Sequence, residues 1–305
     1  MKKRFKTKIR RNNSYKKYLF ILLLILITYH ITYNIIYVSY LSKLSIKDII
    51  NHIIENTKNN KLTNNIIEDY KNPHTILGNN FTLIENPTIE VENTNTPPIV
   101  YIYSTHETES YKDKYLELYN IKPTVKIASY ILKDYLDDYG IRTIVEDKSI
   151  TDILRQNNWS YKYSYEASRI AIKDTISNTT SLKLILDLHR DSSSLSKPLL
   201  EVENTKYAKI LFVVGGENNN YQENLKVSEK LKKYLEEEIP GITRGITTKK
   251  GPGVNGIYNQ DLSTKSVLIE LGGQYNEIEE INNTIKILSK AILRYIEGEQ
   301  WKIHH

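Results

Sequence analysis

LKLILDLHRDS, residues 182–192, is the stretch from which the rest of the chain is most easily read. An apolar run at 184–188, interrupted only by Asp187, stops abruptly at His189, Arg190 and Asp191. The pattern predicts a short buried strand that delivers a histidine at its end. In open α/β sheets, ligands sit just beyond the carboxyl ends of the strands. Two other stretches have the same form. PIVYIYST at 98–105 runs into His106, and SVLIE at 266–270 ends in Glu270, followed by Leu271-Gly272-Gly273. Three apolar strands thus each release a metal-type or acid/base side chain at one end.

Working outward, strands and helices alternate. Strands are expected over 99–104, 142–146, 182–188, 209–214 and 266–271, and helices over 123–138, 161–177, 222–238 and 276–296. Val125, Ile127, Ala128, Ile131, Leu132 and Tyr135 form one stripe at helical spacing, and Gly140 is placed to cap that helix. Alternation of this kind predicts an α/β fold, a mostly parallel central sheet with helices on both faces. No internal repeat is visible. Neither a Walker loop nor a dinucleotide glycine pattern is present, which argues against a nucleotide-binding α/β protein.

The net charge of +6 is unevenly distributed. Residues 1–43 carry ten Lys or Arg and no acid, so subtracting those ten from +6 leaves the remaining chain at −4. The body therefore makes no electrostatic case for nucleic acid. A basic tail over 1–17 precedes residues 18–41, which hold no charged side chain and are long enough to span a bilayer. Basic residues before the span predict a cytoplasmic N-terminus and an extracytoplasmic body. The rival, a cleaved signal peptide, lacks a small-x-small site after the apolar segment, so a single-pass anchor is expected. Residues 42–97 read as a juxtamembrane spacer, with a possible short helix over 44–54 and an Asn- and Thr-rich remainder. The Pro97-Pro98 pair opens a folded domain over 98–298, and 299–305 is a short tail. There is no cysteine. Any metal must therefore be held by His, carboxylate and water.

Between residues 98 and 298 the only histidines are His106 and His189, each following an apolar strand. Glu109 lies three residues after His106, so a helical turn there would bring both side chains to one face. Glu107 is a competing carboxylate. Two His and one Glu, with water in the fourth position, form an open zinc site. Glu270 is placed to accept a proton from an attacking water and return it to a leaving amine. Each element also has a structural reading: strand-end histidines are often hydrogen-bonded framework residues, and an acid before Leu-Gly-Gly can cap a helix or pair with an arginine.

Several ordered motifs share a further property. They are YSTHETESY (103–111), SYEASR (164–169), LDLHRDS (186–192), VVGGENNNYQENL (213–225), IPGITRGI (239–246) and YNQDLSTKSVLIELGGQYNEIEE (258–280). In this order they resemble the stage II sporulation protein P family, membrane-anchored cell-wall hydrolases of endospore formers related to the zinc N-acetylmuramoyl-L-alanine amidases. The resemblance implies a zinc amidase that cuts between N-acetylmuramic acid and the stem peptide, with cross-link endopeptidase activity as a possible addition. It implies His106, Glu109 and His189 as zinc ligands and Glu270 as the catalytic acid/base, Glu107 remaining the alternative to Glu109. It also implies peptidoglycan as substrate, stage II sporulation proteins D and M as partners, and a place at the forespore septum and engulfing membrane. The rival in another class is a wall-binding scaffold without turnover. Among the other matched residues, Asp191 is expected either to orient a ligand or to form a local ion pair. Arg244 is expected to meet a peptide carboxylate or to be structural, and Asn259, Gln260 and Asp261 to touch glycan or stem peptide or to form a turn.

Overall fold

The computed structural model of the protein describes residues 97–112, 122–192 and 198–298, together with Lys47, Asp48 and Asn51. The chain divides into two compact units, Met1–Leu44 and Ser45–His305. The first unit lies wholly outside the described residues, and so do the expected basic tail, the anchor at 18–41 and nearly all of the spacer. Among the described residues no helix is long and apolar enough to cross a membrane.

The five expected strands all form. They are β1 (Val100–Tyr103), β2 (Thr143–Val145), β3 (Leu184–Asp191), β6 (Ile210–Gly215) and β8 (Ser266–Gly273), joined by β4 (Leu199–Val202), β5 (Thr205–Ala208) and β7 (Thr243–Lys249). The helices are α1 (Val125–Asp138), α2 (Ile150–Gln156), α3 (Ser164–Asn178), α4 (Tyr221–Glu238) and α5 (Ile278–Glu297). A six-stranded sheet runs β2-β1-β3-β8-β6-β7, with β4 and β5 forming a separate hairpin. Every neighbouring pair is parallel except β8 and β6. The exception has a local cause. Parallel neighbours need a crossover, usually a helix. After β3 the chain instead makes the β4–β5 hairpin and starts β6 beside the end of β8, with Ile210 opposite Leu271.

Alternation along the strands sorts the two faces. Val100, Ile102, Leu184, Leu186, Phe212, Val267 and Ile269 share one core with the buried stripes of α1, α4 and α5. Tyr101, Tyr103 and Ile185 share the other with α2 and α3. Each fully buried leucine or isoleucine is worth roughly 1.5–3 kcal/mol relative to exposure. Because side chains alternate with period 2, His189 and Asp187 fall on the Ile185 face, toward α3. The first helix ends as expected. Thr124 caps its start, and Gly140, at φ +72°, donates its N–H to the Asp137 carbonyl at 2.8 Å. On the far side of the domain, Lys47 donates its backbone N–H to Asp134 at 2.9 Å and its ammonium pairs with Asp138.

Candidate metal centre

Beyond β1 the chain folds back at once, with the Glu109 N–H donating to the His106 carbonyl at 2.9 Å. That turn places Glu109 between two imidazoles. One carboxylate oxygen lies 3.5 Å from His106 Nδ1 and the other 3.8 Å from His189 Nδ1. The two rings are 5.0 Å apart, nearly perpendicular. One ligand atom from each of His106, Glu109 and His189 lies within 4.8 Å of the others. Donors bound tetrahedrally at zinc bond lengths stand roughly 3.3–3.5 Å apart. The cluster therefore needs only small side-chain adjustments to close on one ion.

The neighbouring acid is turned elsewhere. Glu107 accepts from Ser149 Oγ and from the Thr151 N–H, both at 2.8 Å, at the first turn of α2. Lys126 Nζ is 4.0 Å away. A carboxylate there satisfies an orphan N–H and complements the helix dipole. Geometry thus separates two glutamates that spacing alone leaves level.

Asp187 braces the cluster from beneath. Its carboxylate accepts from the Thr105 N–H at 2.9 Å and from Thr105 Oγ1 at 2.8 Å, tying the end of β1 to β3. Asp187 Oδ1 is also 2.9 Å from His189 Nε2. The N–H is not well aimed along that line, so the contact is an ion pair rather than an aligned hydrogen bond. The two His189 nitrogens are thus divided, Nδ1 toward Glu109 and Nε2 toward Asp187.

Glu270 is the register partner of His189 across the parallel β3–β8 ladder, so both side chains share one face. Its Oε2 is buried without a hydrogen-bond partner. Burial pushes the Glu270 carboxyl up to about 7, aided by Glu109, Asp191 and Asp187 and opposed by His189. Burial works against a charge on His189, but Asp187, Glu270 and Glu109 outweigh it and raise the imidazolium to about 9. Burial likewise opposes charge on Glu109. Its bond to His106, the His189 charge and the Arg190 N–H at 3.0 Å nevertheless hold it below the ordinary carboxylate range. Three acids gathered around two imidazoles leave a surplus of negative charge that a cation would neutralise.

Other expected contacts resolve into framework. Asp191 pairs with the Arg244 guanidinium, so among the described residues Arg244 meets an acid of its own chain. Arg169 grips Asp261 through two bonds, at 2.8 and 2.7 Å. Asn259 donates to the Tyr165 carbonyl and to Ser168 Oγ, and Gln260 donates to the Val213 carbonyl while accepting from the Gly215 N–H. Gly272 has φ +66°, and a Cβ there would lie 2.9 Å from Ala208, Asn276 and Ile281 side-chain atoms. That crowding explains the glycine after the Glu270 strand. Sequence reading missed Asp187, Tyr161 and Tyr165 as parts of the site. Tyr161 stacks on His106 at 4.9 Å, while Tyr165 meets His106 edge-on at 5.6 Å and stacks near His189 at 6.2 Å.

Fold and cluster together define an α/β protein with a His–Glu–His metal-type centre and a buried carboxylate beside it. Residues 34–293 match the family model described as stage II sporulation protein P, and the chain belongs to that family. Stage II sporulation protein P of Bacillus subtilis (strain 168) is 34% identical over 197 residues, covering 62% of this chain and 49% of the relative. The match thus spans about half the length of that relative. Among solved structures, Cwp6 from Clostridium difficile aligns with a TM-score of 0.41 at 13% identity, over 67% of this chain and 30% of that one. The CwlD amidase from Clostridioides difficile, solved in complex with the GerS lipoprotein, aligns with a TM-score of 0.43 at 18% identity, over 66% of this chain and all of that one.

Proposed function

We propose that this chain is a zinc-dependent peptidoglycan hydrolase of sporulation, an N-acetylmuramoyl-L-alanine amidase, held to the cell membrane by residues 18–41 with its folded body outside. Cross-link endopeptidase activity, action at the forespore septum, and partnership with stage II sporulation proteins D and M belong to the same reading. One observation carries it. His106, Glu109 and His189 converge on one small volume, with Glu270 set beside His189 by strand register.

The donor set fits zinc: two imidazoles and one carboxylate, in a chain without thiolates. His106, Glu109 and His189 would hold the ion, and Asp187 would fix the His189 ring. When bound, zinc acidifies a water and polarises the scissile carbonyl. Glu270 takes the proton from the attacking water as the O–C bond forms. It then delivers that proton to the amide nitrogen as the C–N bond breaks, leaving a muramyl carboxylic acid and an amine on the stem peptide, which ionise to carboxylate and ammonium. Set beside His189 by strand register, the Glu270 carboxyl is placed to pass the proton in both directions.

Two measurements test the reading. Purified protein should hold about one zinc per chain and release stem peptides from murein sacculi, the bond cut being read by mass spectrometry of the fragments. Glu270→Gln should bind zinc normally and lose most turnover. A metal-free, inert wild type would leave only a wall-binding scaffold.

A further inference from the structure

Amide hydrolysis moves negative charge onto the carbonyl oxygen, and a site that accelerates it aims donors at that oxygen. Most donors around this cluster are already engaged. Thr105 gives both its N–H and its hydroxyl to Asp187. The Arg190 N–H goes to Glu109. Both imidazole Nδ1 atoms face Glu109, and His189 Nε2 faces Asp187. Arg169 is locked onto Asp261. Asp187, Glu109 and Glu270 are acceptors when ionised.

Tyr165 is different. It sits in the first turn of α3, on the face of the sheet that carries His189 and Glu270. Its ring touches both candidate ligand rings, and Tyr258 packs edge-on against it at 5.3 Å. Its backbone carbonyl is pinned by Asn259 Nδ2 at 3.0 Å and Ser168 Oγ at 3.1 Å. The residue is half-buried, and among the described residues its hydroxyl makes no hydrogen bond.

We propose that the Tyr165 hydroxyl donates a hydrogen bond to the substrate's amide oxygen as that carbon becomes tetrahedral. The proposal rests on the hydrolase reading above and adds a residue to it. No proton leaves the phenol; it supplies a dipole where charge develops. An ordinary phenol is protonated at neutral pH, so the donor needs no tuning.

The test compares the zinc-loaded full chain with Tyr165→Phe. The Phe ring keeps the packing on both histidines and loses only the O–H. Expected are unchanged zinc content, unchanged KM and a kcat about 100-fold lower. Affinity for a phosphinate isostere of the muramyl–alanine amide should fall by the same factor, because that tetrahedral group mimics the charged oxygen. Wild-type kcat and wild-type phosphinate affinity in Tyr165→Phe would overturn the proposal while leaving an active wild type intact. Loss of zinc, or a rise in KM with kcat unchanged, would also overturn it, pointing to packing. An inert wild type would remove the hydrolase reading itself, and this inference with it.

Discussion

Replacing Asp187 with asparagine isolates the brace beneath the metal-type cluster. The wild-type carboxylate takes two hydrogen bonds from Thr105 and faces His189 Nε2 at 2.9 Å. An asparagine of nearly the same shape offers one acceptor oxygen where two are used. With its oxygen at the Oδ1 position it keeps the Thr105 N–H and gives its N–H₂ to Thr105 Oγ1, whose own proton turns to Ser168 Oγ; flipped, its N–H₂ confronts both the Thr105 N–H and the imidazole. In both orientations the ring loses the negative partner that fixes its tautomer. Removing such an outer partner typically costs 10–100-fold in metal affinity, roughly 1.4–2.8 kcal/mol. Zinc affinity is measured by competition with a chromophoric chelator, and stability by urea unfolding in its presence and absence. Asp187→Asn should bind zinc at least tenfold more weakly. If it binds within twofold of wild type, the division of His189 into a metal-facing Nδ1 and a braced Nε2 is wrong.

Two further outcomes follow from the same geometry. The metal-free protein should lose stability as pH rises from about 5 to about 9. Folded Glu270 keeps its proton to about 7 against an ordinary 4.5, and folded His189 keeps its own to about 9 against 6.5. In both windows the folded state binds more protons than the unfolded one, so raising pH favours unfolding. Each group corresponds to about 3 kcal/mol at most, and the two are too close to sum. Urea midpoints at pH 5, 7 and 9 under chelator check this, and a rising trend would refute it. The two glutamates of the first motif should also separate cleanly. Glu109→Ala should abolish zinc retention, whereas Glu107→Ala should keep the zinc and cost about 1 kcal/mol from the α2 terminus. Elemental analysis and thermal unfolding of both variants decide it, and zinc lost from Glu107→Ala alone would reverse the ligand choice.

The parts of the fold that were legible in the sequence are those written in local periodicity. Apolar runs before His106, His189 and Glu270 marked three of the five expected strands, and all five form, although β3 and β8 continue past His189 and Glu270 to Asp191 and Gly273. Strand β7 was not legible because TRGITTK has a single large apolar residue. As the outer strand beside β6, it needs little burial. Asp187 read as a blemish in a hydrophobic strand, since its partner Thr105 lies 82 positions away and spacing carries no sign of it. The choice between Glu107 and Glu109 depended on how the chain turns after β1 and on the start of α2, which are both tertiary facts. The tyrosines escaped notice for a compositional reason. In a chain with 24 of them, none stands out until coordinates place Tyr161 and Tyr165 against the histidines.

The pairing of His189 with Glu270 in adjacent parallel strands has a wider consequence. Their relative position is written in main-chain hydrogen bonds, so it owes nothing to the length of what joins them. The intervening hairpin and the loop before β8 can lengthen or shrink without moving one side chain against the other. Diversity in how such proteins meet their neighbours can accumulate in that interval while the chemistry stays put.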